Sequence, residues 1–164
     1  MTSGILFFSC TKGTNVGEIN EVDKTFITQA SLSNTAEIQA GTVATGKAEN
    51  VNVRSFGEMM VMDHTTAQND LKITGSNLEV DVNDVIDAEH VAIMETLNNL
   101  TGRAFDSAYI INQITDHENT IAAFQNEINS GRHVQVTTYA NKYLPKIQMH
   151  LQKADSIATA LNFK

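Results

Sequence analysis

Between residues 103 and 129, apolar side chains recur in alternating steps of four and three. They are Ile110, Ile114, Ile121, Phe124 and Ile128, with His117 standing where another apolar residue is due. That rhythm lays one stripe along a helix, and such a stripe is stable only when a second element covers it. The same period returns over residues 21–47 (Val22, Phe26, Ala30, Ala40, Ala44) and 51–77 (Val53, Phe56, Met60, Ala67, Leu71). It returns again over 133–161, through Val136, Ala140, Tyr143, Ile147, Ala154 and Leu161. No stretch alternates as a strand does. Four long amphipathic helices predict an all-α four-helix bundle.

The punctuation agrees with these boundaries. Asn20 followed by Asp23 has the spacing of a helix-capping pair, and Gly75 weakens the end of the second helix. Thr101 and Gly102 stop a short extra helix expected over 88–100, inside the long connection between the second and third long helices. Pro145 lies within the last helix and is expected to kink or restart it. Residues 78–87 break the helical period and carry Asp81, Asp84 and Asp87. They read as solvated loop charge, because the glycine and closing glutamate of a calcium-binding EF-hand loop are missing.

The chain has 164 residues, 41% of them hydrophobic, which suits one domain with a core that needs no staples. A formal net charge of −8 argues against nucleic-acid binding and against adhesion to anionic lipid. No apolar run is long enough to span a membrane. The single cysteine, Cys10, excludes an internal disulfide. It follows the apolar run Ile5, Leu6, Phe7, Phe8 and the small Ser9, the order found at the end of a bacterial lipoprotein signal. There the cysteine becomes the lipidated first residue, and the polar stretch after it serves as a tether. The expected organisation is a residual signal and linker over 1–20 and one bundle domain over 21–164. A lipid anchor on Cys10 would place the protein in the bacterial envelope, at the periplasm or outer membrane.

Each long helix carries one polar residue in its seam near mid-length: Glu37, His64, His117 and His150. At about 1.5 Å per residue these stand at similar depth, and in an antiparallel bundle midpoints meet midpoints. One carboxylate and three imidazoles therefore converge, a donor set that suits Zn, Fe or Mn. Asp63 adjoins His64, and Asp106, Tyr109 and Gln113 form a polar stripe leading to His117, placed to orient its ring. The competing expectation is a metal-free hydrogen-bond network that fixes helix register. The di-iron signature is absent, because Val61, Ile114 and Ile147 stand where a glutamate would precede each histidine by three residues. His90 and His133 lie near helix starts and are expected to be exposed. Met60 is expected to face the core, with Met59 and Met62 as packing. No Ser-His-Asp order, phosphate loop or Cys-His pair is present, so the chain reads as a binding or structural protein before an enzyme.

Four segments carry a family resemblance: "NTAEIQAGTVATGKA", "VRSFGEMMVMDHTTAQNDL", "LTGRAFDSAYIINQITDHENTIAAF" and "YANKYLPKIQMHLQKA". Their marks are Asp63 with His64, then Phe105, Asp106, Tyr109 and His117, then Leu144, Pro145, His150 and Leu151. Over about residues 21–161 the chain resembles the family known as domain of unknown function 4142, whose members are commonly described as outer membrane proteins. The resemblance implies a ferritin-like fold and an envelope address, and it implies no reaction.

Overall fold

The computed structural model describes residues 17–163, so Cys10 lies outside the described residues. Five helices follow in order: α1 Glu21–Lys47, α2 Val51–Leu78, α3 Ala88–Asn99, α4 Gly102–Ser130 and α5 Val134–Ala160. Among the described residues there are no strands. The capping pair forms as expected. Asp23 N–H donates to Asn20 Oδ1 at 2.8 Å, and Asn20 N–H donates to Asp23 Oδ2 at 2.7 Å.

Each long helix buries a row of residues spaced by seven, and each row has one polar member at its centre. The rows are Ile27, Asn34, Gly41; Gly57, His64, Leu71; Ile110, His117, Phe124; and Tyr143, His150, Ile157. Seven residues are nearly two turns, so each row is one line along its helix. Apolar clusters lie on either side of the polar layer. One is built around Phe56, Met60, Phe105 and Ile110, the other around Phe26, Ile27, Leu71 and Val136. Each such side chain contributes about 1.5–3 kcal/mol on burial. The α1–α2 hairpin closes tightly because Gly41 and Gly57 face each other: a Cβ on Gly41 would stand 2.8 Å from the Gly57 carbonyl oxygen.

α1 runs antiparallel to α2, with Asn34 beside His64 and Gly41 beside Gly57. It also runs antiparallel to α4, with Phe26 on Phe124 and the α1–α2 turn beside Asp106. α2 and α4 therefore point the same way, and residues 79–101 must travel the length of the bundle. Ser31 Oγ holds the start of that path at the Asn83 carbonyl (2.8 Å), and Lys47 Nζ holds its end at the carbonyls of Leu97 and Asn98. One long crossover is the connectivity of ferritin-like bundles.

Two buried aspartates fasten the ends. At one end Asp23 of α1 accepts the backbone N–H groups of Arg132 (3.0 Å) and His133 (3.1 Å), at the α4–α5 turn. At the other, Asp106 of α4 accepts those of Glu49 (3.1 Å) and Asn50 (2.8 Å), at the α1–α2 turn. Each hairpin thus holds the turn of the other, and each aspartate satisfies donors that a helix start leaves without an intrahelical partner.

Several expectations need correction. Helix α5 continues through Pro145, which faces solvent, so the Asn141 carbonyl that loses its donor there can be hydrated. His133 is buried, because it is the N-cap of α5 and its Nδ1 accepts from Gln135 N–H. His90 is half-buried and its Nδ1 bonds to Asp87, the N-cap of α3, at 2.7 Å. Of the acidic connection Asp81 and Asp84 are exposed as expected, Asp84 pairing with Lys72 and accepting from Gln68, whereas Asp87 is half-buried. Gly75 does stand in the last turn of α2, which ends at Leu78. Its missing side chain admits the returning chain, since a Cβ there would stand 2.6 Å from the Val80 carbonyl oxygen. Met60 is buried as expected, but Met62 is exposed rather than packed.

Candidate metal centre

Three helices bring three imidazoles together: His64 from α2, His117 from α4 and His150 from α5. All three are buried, and one ring nitrogen from each lies within 4.8 Å of the others. Ring centroids stand 5.9 Å apart for His64 and His117, and 5.4 Å apart for each pair that includes His150.

The outer nitrogen of each ring is held by an oxygen. His64 Nδ1 lies 2.9 Å from Asn34 Oδ1, His117 Nδ1 lies 2.8 Å from the Gln113 carbonyl, and His150 Nε2 lies 2.9 Å from Asp63 Oδ2. A carbonyl or an ionised carboxylate only accepts, so each outer nitrogen carries the proton. Asn34 is fixed in the accepting orientation because its amide nitrogen donates to Tyr139 Oη (3.0 Å) and Gln68 Oε1 (3.3 Å). The inner nitrogens, His64 Nε2, His117 Nε2 and His150 Nδ1, therefore present lone pairs, and none has a hydrogen-bond partner in the protein. Lone pairs gathered in one buried place repel, and buried polar atoms without partners are costly. A cation reverses both effects.

Electrostatics keeps the lone pairs free. Burial, then the neighbouring His150, pushes His117 down to about 3, with the Gln113 carbonyl opposing. Burial and the two other imidazoles hold His64 far below its ordinary range. His150 is lowered by burial despite its bond to Asp63. Burial pushes Asp63 up, but Lys146 and His150 more than offset this and keep it ionised. Lys146 Nζ donates to Asp63 Oδ1 at 2.8 Å.

Glu37 does not join the three imidazoles. Its Oε1 stands 3.5 Å from His117 Nδ1, on the outer side of that ring, because α1 meets α4 behind His117. Burial and then Asp116 push its carboxyl up to about 8, and Oε2 has no partner. The stripe on α4 also divides. Gln113 orients His117 through its backbone carbonyl and not its amide, which lies toward Glu37 and lowers that carboxyl slightly against burial. Tyr109 is buried, its hydroxyl pK raised well above the usual value by burial and by Glu37, and its oxygen has no partner. Asp106 lies at the end of the bundle, away from the imidazoles, because its register on α4 matches the α1–α2 turn. Asn34 and Lys146 are the supporting residues that sequence reasoning passed over. Asn34 was detectable, being an asparagine midway between Ile27 and Gly41 at spacings of seven. Lys146 is a surface lysine whose role depends on tertiary contact alone.

The profile of the family described as Domain of unknown function (DUF4142) matches residues 9–157. No curated protein matches the chain. A crystal structure of a DUF305 fragment from Deinococcus radiodurans superposes with a TM-score of 0.74 at 12% identity, over 87% of this chain and 98% of that one. The likeness concerns the fold.

Proposed function

The chain belongs to the family described as Domain of unknown function (DUF4142), and from its own geometry we propose that it binds one transition-metal ion through His64, His117 and His150. One observation carries this reading: a ring nitrogen from each of three buried histidines lies within 4.8 Å of the others, and each ring has one nitrogen held by an oxygen and one without a partner. Ligating histidines characteristically donate their second N–H in this way, which fixes tautomer and orientation. A metal-free network is disfavoured by the same atoms, because a closed network leaves no such group over.

The donor set favours Zn or Fe over Mn, since imidazole nitrogen suits the former and manganese prefers oxygen. Three nitrogens on a tetrahedral ion at about 2.0–2.1 Å stand about 3.3 Å apart, so loading draws the rings together by on the order of 1 Å. Asn34, Gln113 and Asp63 serve as the holders of the three rings. Glu37, Tyr109 and Asp106 take no part in the donor set. With three protein donors a tetrahedral ion keeps one position for an exogenous ligand. We also assign the protein to the bacterial envelope, on the Ile5 to Cys10 pattern, and Cys10-dependent incorporation of labelled palmitate tests that assignment.

The test is elemental analysis of protein purified without chelator or affinity tag, beside His64→Leu, His117→Leu and His150→Leu. The expected result is near-stoichiometric metal in the parent and its loss in all three variants. No uptake after incubation with Zn, Fe, Mn or Cu retires the reading.

A further inference from the structure

Resting on that metal-binding reading, we propose that the ion enters between α2 and α5, and that the Lys146 side chain, paired to Asp63, is the gate that sets how fast it comes and goes. A small cavity is lined by His64 and His150 together with Asp63, Tyr143 and Lys146. Side-chain exposure falls steeply along this line, from 42% at Lys146 to 9% at Asp63 and 1% at His150. A single carboxylate spans the step, with Oδ1 on the lysine ammonium and Oδ2 on the imidazole of a proposed ligand. The hollow on the opposite side of the bundle, between Glu37, His90 and Asp116, is lined by none of the three imidazoles.

The chemistry follows from the charges. With Lys146 in place the doorway is neutralised, and an approaching cation meets an ammonium. When the flexible lysine stem swings into solvent, a carboxylate beside His150 is uncovered, and it attracts the cation at the mouth of the cavity. Lys146 therefore acts on the rate of entry and exit, and leaves the donor set as it is. The molecule contains its own control. Two turns along α2, Asp70 accepts from Lys142 and Tyr143 in a like pairing on the same seam, with no metal-ligand candidate bonded to it.

The experiment uses cobalt(II), whose visible absorption reports coordination, in stopped-flow loading of the full chain and in release to excess chelator. Lys146→Met, which keeps length and apolar packing, is compared with Lys146→Arg and Lys142→Met. Loading and release are expected to accelerate about tenfold in Lys146→Met at unchanged stoichiometry. Lys146→Arg, which keeps the ion pair, and Lys142→Met should stay near the parent rates. If the parent binds cobalt and Lys146→Met exchanges it at the parent rate, the gate is wrong and the site stands. Equal acceleration in Lys142→Met also refutes the gate, because it reports general loosening of the seam. A parent chain that takes up no metal removes the site and the gate together.

Discussion

At both ends of the bundle a buried aspartate gives its oxygens to backbone N–H groups, whereas in the middle three buried imidazoles each hold back one nitrogen. Asp23 and Asp106 are as deeply buried as His117 and His150. Burial of a polar group therefore does not distinguish structure from function here. The distinction lies in what remains unsatisfied. Burial pushes the Asp23 carboxyl up, yet the N–H groups of Asn20 and His133, with Glu127 and Arg132, hold it below the usual carboxylate value. The imidazoles are shifted so as to keep lone pairs available. The ends hold the fold, and the middle carries a cost that a cation relieves.

The largest expected effect tests the ends. Asp23→Ala and Asp106→Ala should each lower stability by about 2 kcal/mol, because each leaves two or more partly buried N–H groups without their carboxylate acceptor. Chemical denaturation measures this, and metal stoichiometry should not change. His117→Leu should do the reverse. Metal uptake should vanish while the metal-free fold keeps its stability to within about 1 kcal/mol, because a packed apolar side chain replaces a buried ring with one nitrogen unpartnered. A large loss of stability in His117→Leu would mean that the middle is structural after all.

His117 and Glu127 should also answer pH with opposite signs, while Glu37 in the middle layer, pushed up to about 8, adds to the alkaline side. Metal-free His117 is held near 3 against an ordinary 6.5. Between those values the unfolded chain binds a proton that the folded chain does not, so stability falls as pH drops from about 6.5 toward about 3. At the end of the bundle Glu127 is pushed up to about 8 by burial and by Asp23. The folded chain there holds a proton that the unfolded chain releases, so stability falls as pH rises from about 4.5 to about 8. Each slope is at most about 1.4 kcal/mol per pH unit. Denaturation midpoints across pH should show the acid-side slope reduced in His117→Leu and the alkaline-side slope reduced in Glu127→Gln.

A subtler substitution separates holding a ligand from being one. Asn34→Leu should weaken metal affinity about tenfold and still allow full loading at high metal, since the amide only fixes the tautomer of His64. Competition against a chromophoric chelator reads this directly. The smallest effect belongs to packing. Gly57→Ala would set a Cβ 2.9 Å from both Ala44 Cβ and the Gly41 carbonyl oxygen, and should cost about 1–2 kcal/mol without altering affinity.

The bundle was legible because four stripes of period 3.6 admit few other folds, and helix ends announce themselves in caps such as Asn20 with Asp23. The meeting of His64, His117 and His150 was legible from depth alone, since each sits near the middle of an apolar row. Depth does not give direction, however. Glu37 shares the layer but stands behind His117, and only the rotation of α1 against α4 decides that. Asp106 has helical spacing to His117, yet it serves a turn three residues beyond the end of α1. Pro145 removes one hydrogen bond of α5 without ending the helix, because its exposed position lets water serve the carbonyl left over, and the sequence does not show which face it occupies.

The most direct measurement is X-ray absorption on the chain loaded with one equivalent of Zn, compared with His117→Leu. The account predicts three imidazole nitrogens at about 2.0–2.1 Å in the parent, and an imidazole count that falls in the variant. A shell dominated by oxygen, or a spectrum unchanged by His117→Leu, would contradict it.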